Sequence, residues 1–554
     1  MCKAIYTIGV DFGTLSARAV LADSRSGHIL ASAESAYAHG VISEKLPGGS
    51  PLPPQWALQV PQDYLDSLTA VVRDVMSESG VAAEAVGAIA WDFTSCTVLP
   101  TTEDGTPLCH LPGWDAEPHA YAKLWKHHAA QRHAERIEAL GHEMDEPFLH
   151  RYGGRVSSEW TYPKLLQILE EAPEVAEKTD VFLEGGDWLT WQLTGQLCRN
   201  SCAAGFKQFW ADNGQLPTAE YLSALDQRFP ALVQRTLRGQ VCAPWEAAGS
   251  LTPRWAQRLG LTEHTVVAAG IIDAHAAVVG SGVCRAGQAL LILGTSACQL
   301  LLDKRPISVP GICGYAKDAI VPDLYAYESG QPCVGDLFDW FVHHAASAQA
   351  FQDAEECGMN LHELLSERAA RLVPGQSGLV ALDWWNGQRT PFVDDDLSGM
   401  MLGMTLRTRP EEQYRALLES AAFGTRLIFD TYRKATLETE EIIVCGGIAR
   451  KNPLLMQIYA DVLRRPVQVS SSDQACALGA AILAAAAGGC HETLHHAMEA
   501  MAAKPQIVYR PREENAAIYD RLYEIYATLA RHFAQETDIM HRLLALRQGK
   551  EFST

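Results

Sequence analysis

Apolar positions follow two rhythms along this chain. Short β-branched runs alternate with stretches whose apolar residues recur at helical spacing, the signature of a layered α/β fold. The first run is IYTIGVDFGTLSARAVLADS, residues 5–24, where an apolar strand enters Asp11, turns through Gly13-Thr14 and leaves as a second apolar strand. Residues 61–78 carry Tyr64, Leu68, Val71, Val72 and Met76 on one helical face. Residues 85–90 predict a buried strand running into WDFTSCT, and the charged, histidine-rich residues 121–140 predict a helix. EWTYPKLLQILEEAPEVAEKTD predicts another helix, followed by a strand in VFLEGGDWL. Residues 30–54, with paired glycines and several prolines, predict a long exposed excursion.

One element of the pattern is doubled. VDFGTLSARAVL near the start is echoed by LILGTSACQLLL at residues 291–302, each a strand, a Gly-Thr turn, a Ser-Ala pair and a second strand. Two such hairpins, each opening its own series of strands and helices, predict two domains of related design facing one another. A third glycine turn, Gly446-Gly447, lies between a strand and a helix in IIVCGGIARKNPLLMQIYADVLRRPVQV.

These turns suggest chemistry. Glycine lets a backbone approach an anion closely, and amides with hydroxyls in a tight turn form an anion-binding concavity. Asp11, at a strand end just before such a turn, suits magnesium held by a carboxylate, waters and phosphate oxygens. The paired glycines 446–447 offer a flat edge for an adenine, or simply fit a β-α turn. In VVAAGIIDAHAAVVGSG, Asp273 ends an apolar strand among alanines and glycines. Desolvation there raises its proton affinity, as a general base requires; an N-cap for the following helix is the other reading, and the residues alone leave both open.

Three literal motif matches fail. DFG at Asp11 stands too close to the N-terminus for the rest of a protein-kinase motif set to precede it. HETLHH, residues 491–496, has the spacing of a zinc-protease helix but no evident third ligand. GVCRAGQ at Gly282 lacks the Lys-Ser/Thr of a phosphate-binding loop.

Size and charge narrow the classes. At 554 residues the chain exceeds one core. Its formal charge of −21 argues against nucleic acid and anionic membranes as partners. A bound phosphate must be held locally, by amides, a cation or a metal. No signal peptide precedes the first strand, and the Ala-rich residues 475–489 are too short to span a bilayer. Fourteen cysteines without a CxxC pair predict reduced, mostly buried thiols and a cytoplasmic protein.

Taken together, GVDFGTLSARAVL, AGIIDAHAAVVGSG, LILGTSACQLLL, DWWNGQRTPFVDDDLSGMMLGM, CGGIARKNPLLMQIYADVLRRPV and SSDQACALGAAILAAAA resemble, in order, the motifs of the FGGY carbohydrate kinases. The resemblance runs from about residue 6 to 501. It implies two actin-like, ribonuclease-H-like α/β domains with an interdomain catalytic cleft, divided as 1–286 for the sugar and 287–554 for the nucleotide, the latter with a helical tail. It implies ATP and Mg2+, with Asp11 at the metal and phosphate-binding turns at Gly13-Thr14 and Gly294-Thr295-Ser296. The adenosine would lie at Gly446-Gly447 near Asn452, and Asp273 would be the catalytic base. RYGGRVSSEWTYPKLLQI, CAAGFKQFW and DWWNGQRTP resemble members acting on L-ribulose, which places sugar contacts at the Cys96 backbone, Lys207 and Glu328. Other ketopentoses or pentitols are the alternative substrates. A nucleotide-driven binding protein on the same fold is the alternative class. A homodimer is the family-level expectation. One departure stands out. Many relatives carry a sugar-binding Asp and Arg after a tryptophan, where this chain reads LWKHHAA, with Trp125, Lys126, His127 and His128.

Overall fold

A computed structural model describes residues 5–549. Two seven-stranded sheets organise it. Across the first run Ala247–Ser250, Val266–Ala268, Val86–Phe93, Tyr6–Phe12, Ser16–Asp23 and Ile29–Ala36, with Ile271–Ile272 also paired to Val86–Phe93. Across the second run Gly314–Lys317, Tyr325–Gln331, Ala297–Asp303, Gln288–Leu293, Glu441–Cys445, Val467–Ser470 and Pro505–Tyr509.

The doubled hairpin explains the likeness between the sheets. In each, the first hairpin strand pairs antiparallel with its successor and parallel with a strand arriving later through a helical crossover. The shared hairpin seeds a shared topology. The parallel strands are apolar through most of their length, as strands covered on both faces are, and the carboxyls of Asp11 and Asp92 come at their ends.

The halves are not separate cores. The helices Asp273–Gly280 and Ala475–Ala487 cross between the sheets, and one buried cluster joins Val20, Ala88 and Ala90 of the first sheet to Leu290, Leu300 and Ile443 of the second. The helix Ala475–Ala487 belongs to the second half of the chain yet packs on the first sheet. Its Ala481 carbonyl accepts a hydrogen bond of 3.0 Å from Thr7 Oγ1. Glycine permits this crossing, because a Cβ on Gly280 would lie 2.0 Å from the Ala475 carbonyl oxygen and one on Gly479 2.0 Å from that of Ala276. The Ala-rich segment is therefore a core helix, as its length allows.

Several expectations are corrected. Residues 29–36 are the strand Ile29–Ala36, not a loop, because its backbone completes the first sheet against Ser16–Asp23 while the side chains alternate in burial. The irregular excursion begins after it and is pinned by the buried Ile42, Leu46 and Trp56. The helix read over 121–140 starts only at Gln131, since Ala122–Lys123 pairs as a strand with Leu58–Gln59. The helix in EWTYPKLLQILEEAPEVAEKTD breaks into Thr161–Glu171 and Pro173–Lys178, because proline lacks the N–H that a continuous helix needs. The strand in VFLEGGDWL ends at Glu184 and the helix Gly185–Thr194 follows. Free thiols include the buried Cys96, Cys109, Cys202, Cys333 and Cys445, but Cys198 and Cys242 form a disulfide. Their strands, Cys198–Asn200 and Gln240–Cys242, run side by side and bring together residues 44 apart in sequence.

Candidate active site

Three carboxyls converge where the first sheet meets the interposed helices. Asp11 is the penultimate residue of its strand, and its register partner on the neighbouring strand is Asp92. Asp92 is in turn opposite Ile271, two residues before Asp273. Asp273 opens the helix Asp273–Gly280 and is not its N-cap, a place taken by Ile272. Its Oδ1 accepts a 2.6 Å bond from the Ala274 amide. Burial pushes the Asp273 carboxyl up to about 7; the Ala274 amide and Lys207 pull against this, while Asp11 and Glu328 add to it. That is the proton affinity of a base working near neutral pH. Burial also raises Asp11, with a hydrogen bond to Asp92 and then Arg18 opposing. Asp92 lies far above the carboxylate range, through burial first and then the adjoining Asp11 and Asp273.

Beside this group lies a buried ion pair. Lys207, the last residue of the helix Ser201–Lys207, donates to both oxygens of Glu328 at 3.0 and 2.9 Å. Glu328 stands on Tyr325–Gln331 of the second sheet, so the pair spans the halves. Burial works against the Glu328 charge, but Lys207 and His275 outweigh it and hold the carboxyl well below its usual range. His275 Nε2 lies 3.3 Å from Glu328, and its Nδ1 is 2.8 Å from Cys202 Sγ. Cys96, which adopts φ of +59°, is buried near Lys207, and its carbonyl accepts Lys164 Nζ at 2.7 Å.

The glycine turns are built as the sequence suggests. Gly13 N donates to Ser16 O, and Gly294 N to Ser296 O, closing the two hairpins at 3.0 and 2.9 Å. Thr14 is fixed from two sides: Gln59 donates to its carbonyl at 2.8 Å and Trp125 to its hydroxyl at 3.2 Å. Thr295 and Ser296 are exposed. Gly446 has φ of +102°, and a Cβ there would stand 2.2 Å from the Leu293 carbonyl, so the second and third turns abut. Gly447 has open space where its side chain would be. Asn452 is partly committed elsewhere: its Oδ1 caps the helix Pro453–Leu463 through Leu455 N, and its Nδ2 reaches Ser366 at 3.4 Å. Cys476, at the start of the interposed helix, feels the charges of Asp11, Asp92 and Asp273 as well as Cys445 beside the third turn. It marks where the acidic group meets the glycine edge.

The chain matches the model of the FGGY family of carbohydrate kinases, N-terminal domain, over residues 6–280, and that of its C-terminal domain over 289–488. The chain belongs to this family. It is 47% identical to a ribulokinase of Halalkalibacterium halodurans over 98% of this chain and 97% of that one. It is 44% identical to a ribulokinase of Mycolicibacterium smegmatis, over 99% and 97%. Among solved structures, the xylulose kinase of Rhodospirillum rubrum superposes with a TM-score of 0.79 at 23% identity, covering 97% of this chain and all of that one. The fold is thus the two-domain actin-like, ribonuclease-H-like fold, and the enzyme phosphorylates a sugar at the expense of ATP.

Within this FGGY kinase, two features escape a reading of the sequence. Asp92 and His275 join the site unannounced. Asp92 had a signal, since WDFTS repeats the Asp-Phe step of VDFGT at a second strand end; His275 had none. The histidines in place of the family's Asp and Arg are held by protein partners. His127 is fully buried, with one ring nitrogen 3.0 Å from Gln167 and the other receiving the Ala57 amide, while His128 lies 3.4 Å from Ser158. Trp125 instead braces the Gly13-Thr14 turn. HETLHH does not form a zinc pair, because Thr493 caps a helix that begins after His491. No helix among the described residues is long and apolar enough to cross a membrane.

Proposed function

We propose that this kinase transfers the γ-phosphoryl group of ATP to the 5-hydroxyl of L-ribulose, giving L-ribulose 5-phosphate and ADP in the cytoplasm. The observation that carries the mechanism is the place of Asp273: a partly buried carboxyl that feels the charges of Asp11, Glu328 and Lys207. Phosphoryl transfer needs alignment and charge neutralisation more than covalent help.

The sugar lies against Lys207, Glu328 and the backbone at Cys96, which offer a polyol one cationic donor, one anionic acceptor and peptide groups. Its terminal hydroxyl faces Asp273. As the hydroxyl oxygen bonds to the γ-phosphorus, Asp273 takes its proton and the bond from the γ-phosphorus to the bridging oxygen of ADP breaks. Turns Gly13-Thr14 and Gly294-Thr295-Ser296 hold the phosphates with amides and hydroxyls. Gly446-Gly447 takes the adenosine, where the open face of Gly447 lets a flat base approach. Asn452 supports that edge as a helix cap.

The residues fit a magnesium ion. Asp11 and its acidic neighbours are hard oxygen donors, and the two Asp92 oxygens are buried without a hydrogen-bond donor. Bound there, the ion neutralises charge on the phosphate oxygens.

The relatives support L-ribulose through their printed name, ribulokinase, at 47% and 44% identity. An ADP-release assay against L-ribulose, D-ribulose, L-xylulose, D-xylulose and ribitol tests it. L-ribulose is expected to give the highest kcat/KM; a clear preference for D-xylulose would overturn the assignment.

A further inference from the structure

Among the described residues, Asp92 is a buried carboxyl that no protein donor satisfies. It is fully buried, and neither carboxyl oxygen has a hydrogen-bond partner. Buried polar groups are normally bonded, and an unpaired buried carboxyl is costly. Its one side-chain neighbour within hydrogen-bond reach among the described residues is the Asp11 carboxyl, an acceptor like itself unless one of the two keeps a proton. The guanidinium of Arg18, opposite Asp11 in register, is paired with Glu34 at 3.0 Å on a half-exposed surface.

Its position says what it waits for. Residues in register on adjacent strands present their side chains to the same face, so Asp92 stands beside Asp11, while the strand on its other side delivers Asp273 two residues later. Three carboxyls meet with no intervening cation from the protein. In the free enzyme a proton held by Asp92 relieves the repulsion, and hard oxygen donors so placed can exchange that proton for a small divalent cation.

We propose that Asp92 is a metal-binding residue, holding the divalent cation of the metal–nucleotide complex jointly with Asp11. The proposal rests on the kinase reading given above, and deepens it by adding a ligand on the central strand of the first sheet. Asp11 arrives from the hairpin and Asp92 from the crossover strand, so the cation couples two strands that are covalently distant.

The test uses the full-length enzyme, ADP and Mn2+ as the probe, with free Mn2+ read by electron paramagnetic resonance. Asp92→Asn should weaken Mn2+ binding in the enzyme–ADP complex by at least ~10-fold, the usual cost of losing a group that supports a metal. ADP binding in the presence of a chelator, followed by calorimetry, should change less than about twofold. Asp92→Ser, which leaves room for a water, should behave alike. Both variants should fold with a melting temperature equal to or above that of the wild type, because no protein donor is lost. Wild-type affinity for Mn2+ in a folded variant overturns the proposal, as does collapse of both variants, which would make Asp92 a structural prop. Failure of the unmodified enzyme to bind Mn2+–ADP at all would instead sink the kinase reading.

Discussion

At the scale of single residues, burial decides the chemistry. Asp273 is raised from 3.8 to about 7, first by burial. A base must be deprotonated to act, so kcat/KM for the sugar should climb as pH rises through about 7 and level above it. Asp273→Asn should lower kcat by roughly 10²–10⁴-fold with a much smaller change in sugar KM; steady-state kinetics of the purified variant checks this, and a near-normal kcat would remove Asp273 as the base. The same shift has a stability signature. Between 3.8 and about 7 the folded chain holds a proton that the unfolded chain has released, so this group's contribution is present at low pH and lost as pH rises through 7. The melting temperature of Asp273→Asn, measured from pH 5 to 8, should therefore gain on the wild type toward pH 8. Lys207 and Glu328 make a different case, since each neutralises the other inside the protein. Lys207→Met strands a buried charge and should cost about 3–5 kcal/mol. Adding Glu328→Gln should recover most of that stability in denaturant titrations while leaving sugar binding impaired. A double variant as unstable as the single one would mean that the pair is not coupled. The strand-end Asp residues were legible because Asp interrupts an apolar run; their grouping was not, because a third carboxyl from a distant strand appears only once register is known.

At the scale of elements, the glycine hairpins were legible and the breaks between elements were not. A Gly-Thr turn between two apolar runs specifies its own geometry through local bonds such as Gly13 N to Ser16 O. By contrast, Ile29–Ala36 is a strand because the edge of Ser16–Asp23 needs a partner, and Ala122–Lys123 because Leu58–Gln59 does. Such pairing energy is not written in the segment itself. The helix crossing is a further nonlocal fact. Gly280 and Gly479 read as weak helix residues in isolation, yet each clears the backbone of the other helix. Gly479→Ala, which intrinsic propensity would favour, should here destabilise by about 1–3 kcal/mol, because its methyl must displace the Ala276 carbonyl. Thermal unfolding of the variant checks this; a gain in stability, as helix propensity alone predicts, would mean that the helices separate easily.

At the scale of the whole molecule, the same crossing frames how the enzyme works. On one side the halves are tied together: Lys207 to Glu328, Ser201 Oγ to the Asp318 carbonyl at 2.8 Å, and the Gly311 amide to the Gly153 carbonyl at 3.0 Å. On the other, no hydrogen bond or ion pair among the described residues joins the Gly13-Thr14 turn to the Gly294–Ser296 turn. We therefore expect the turns to approach one another about the helix pair while the sugar side stays fastened. Closure has a chemical purpose, since water left beside the γ-phosphate would compete with the sugar hydroxyl for the phosphoryl group. The radius of gyration by small-angle scattering should therefore fall when L-ribulose and a non-hydrolysable ATP analogue are both bound, and fall less with either alone. ATP hydrolysis without sugar should be slower than phosphorylation by on the order of a hundredfold or more, because the open form leaves the catalytic groups unassembled. Gly479→Ala, with its axis spread, should lose more in the closed-state compaction than in the affinity for either ligand alone. Scattering profiles identical with and without both ligands would mean that the cleft is preformed, and the exclusion of water would then have to come from the sugar itself filling the space above Asp273.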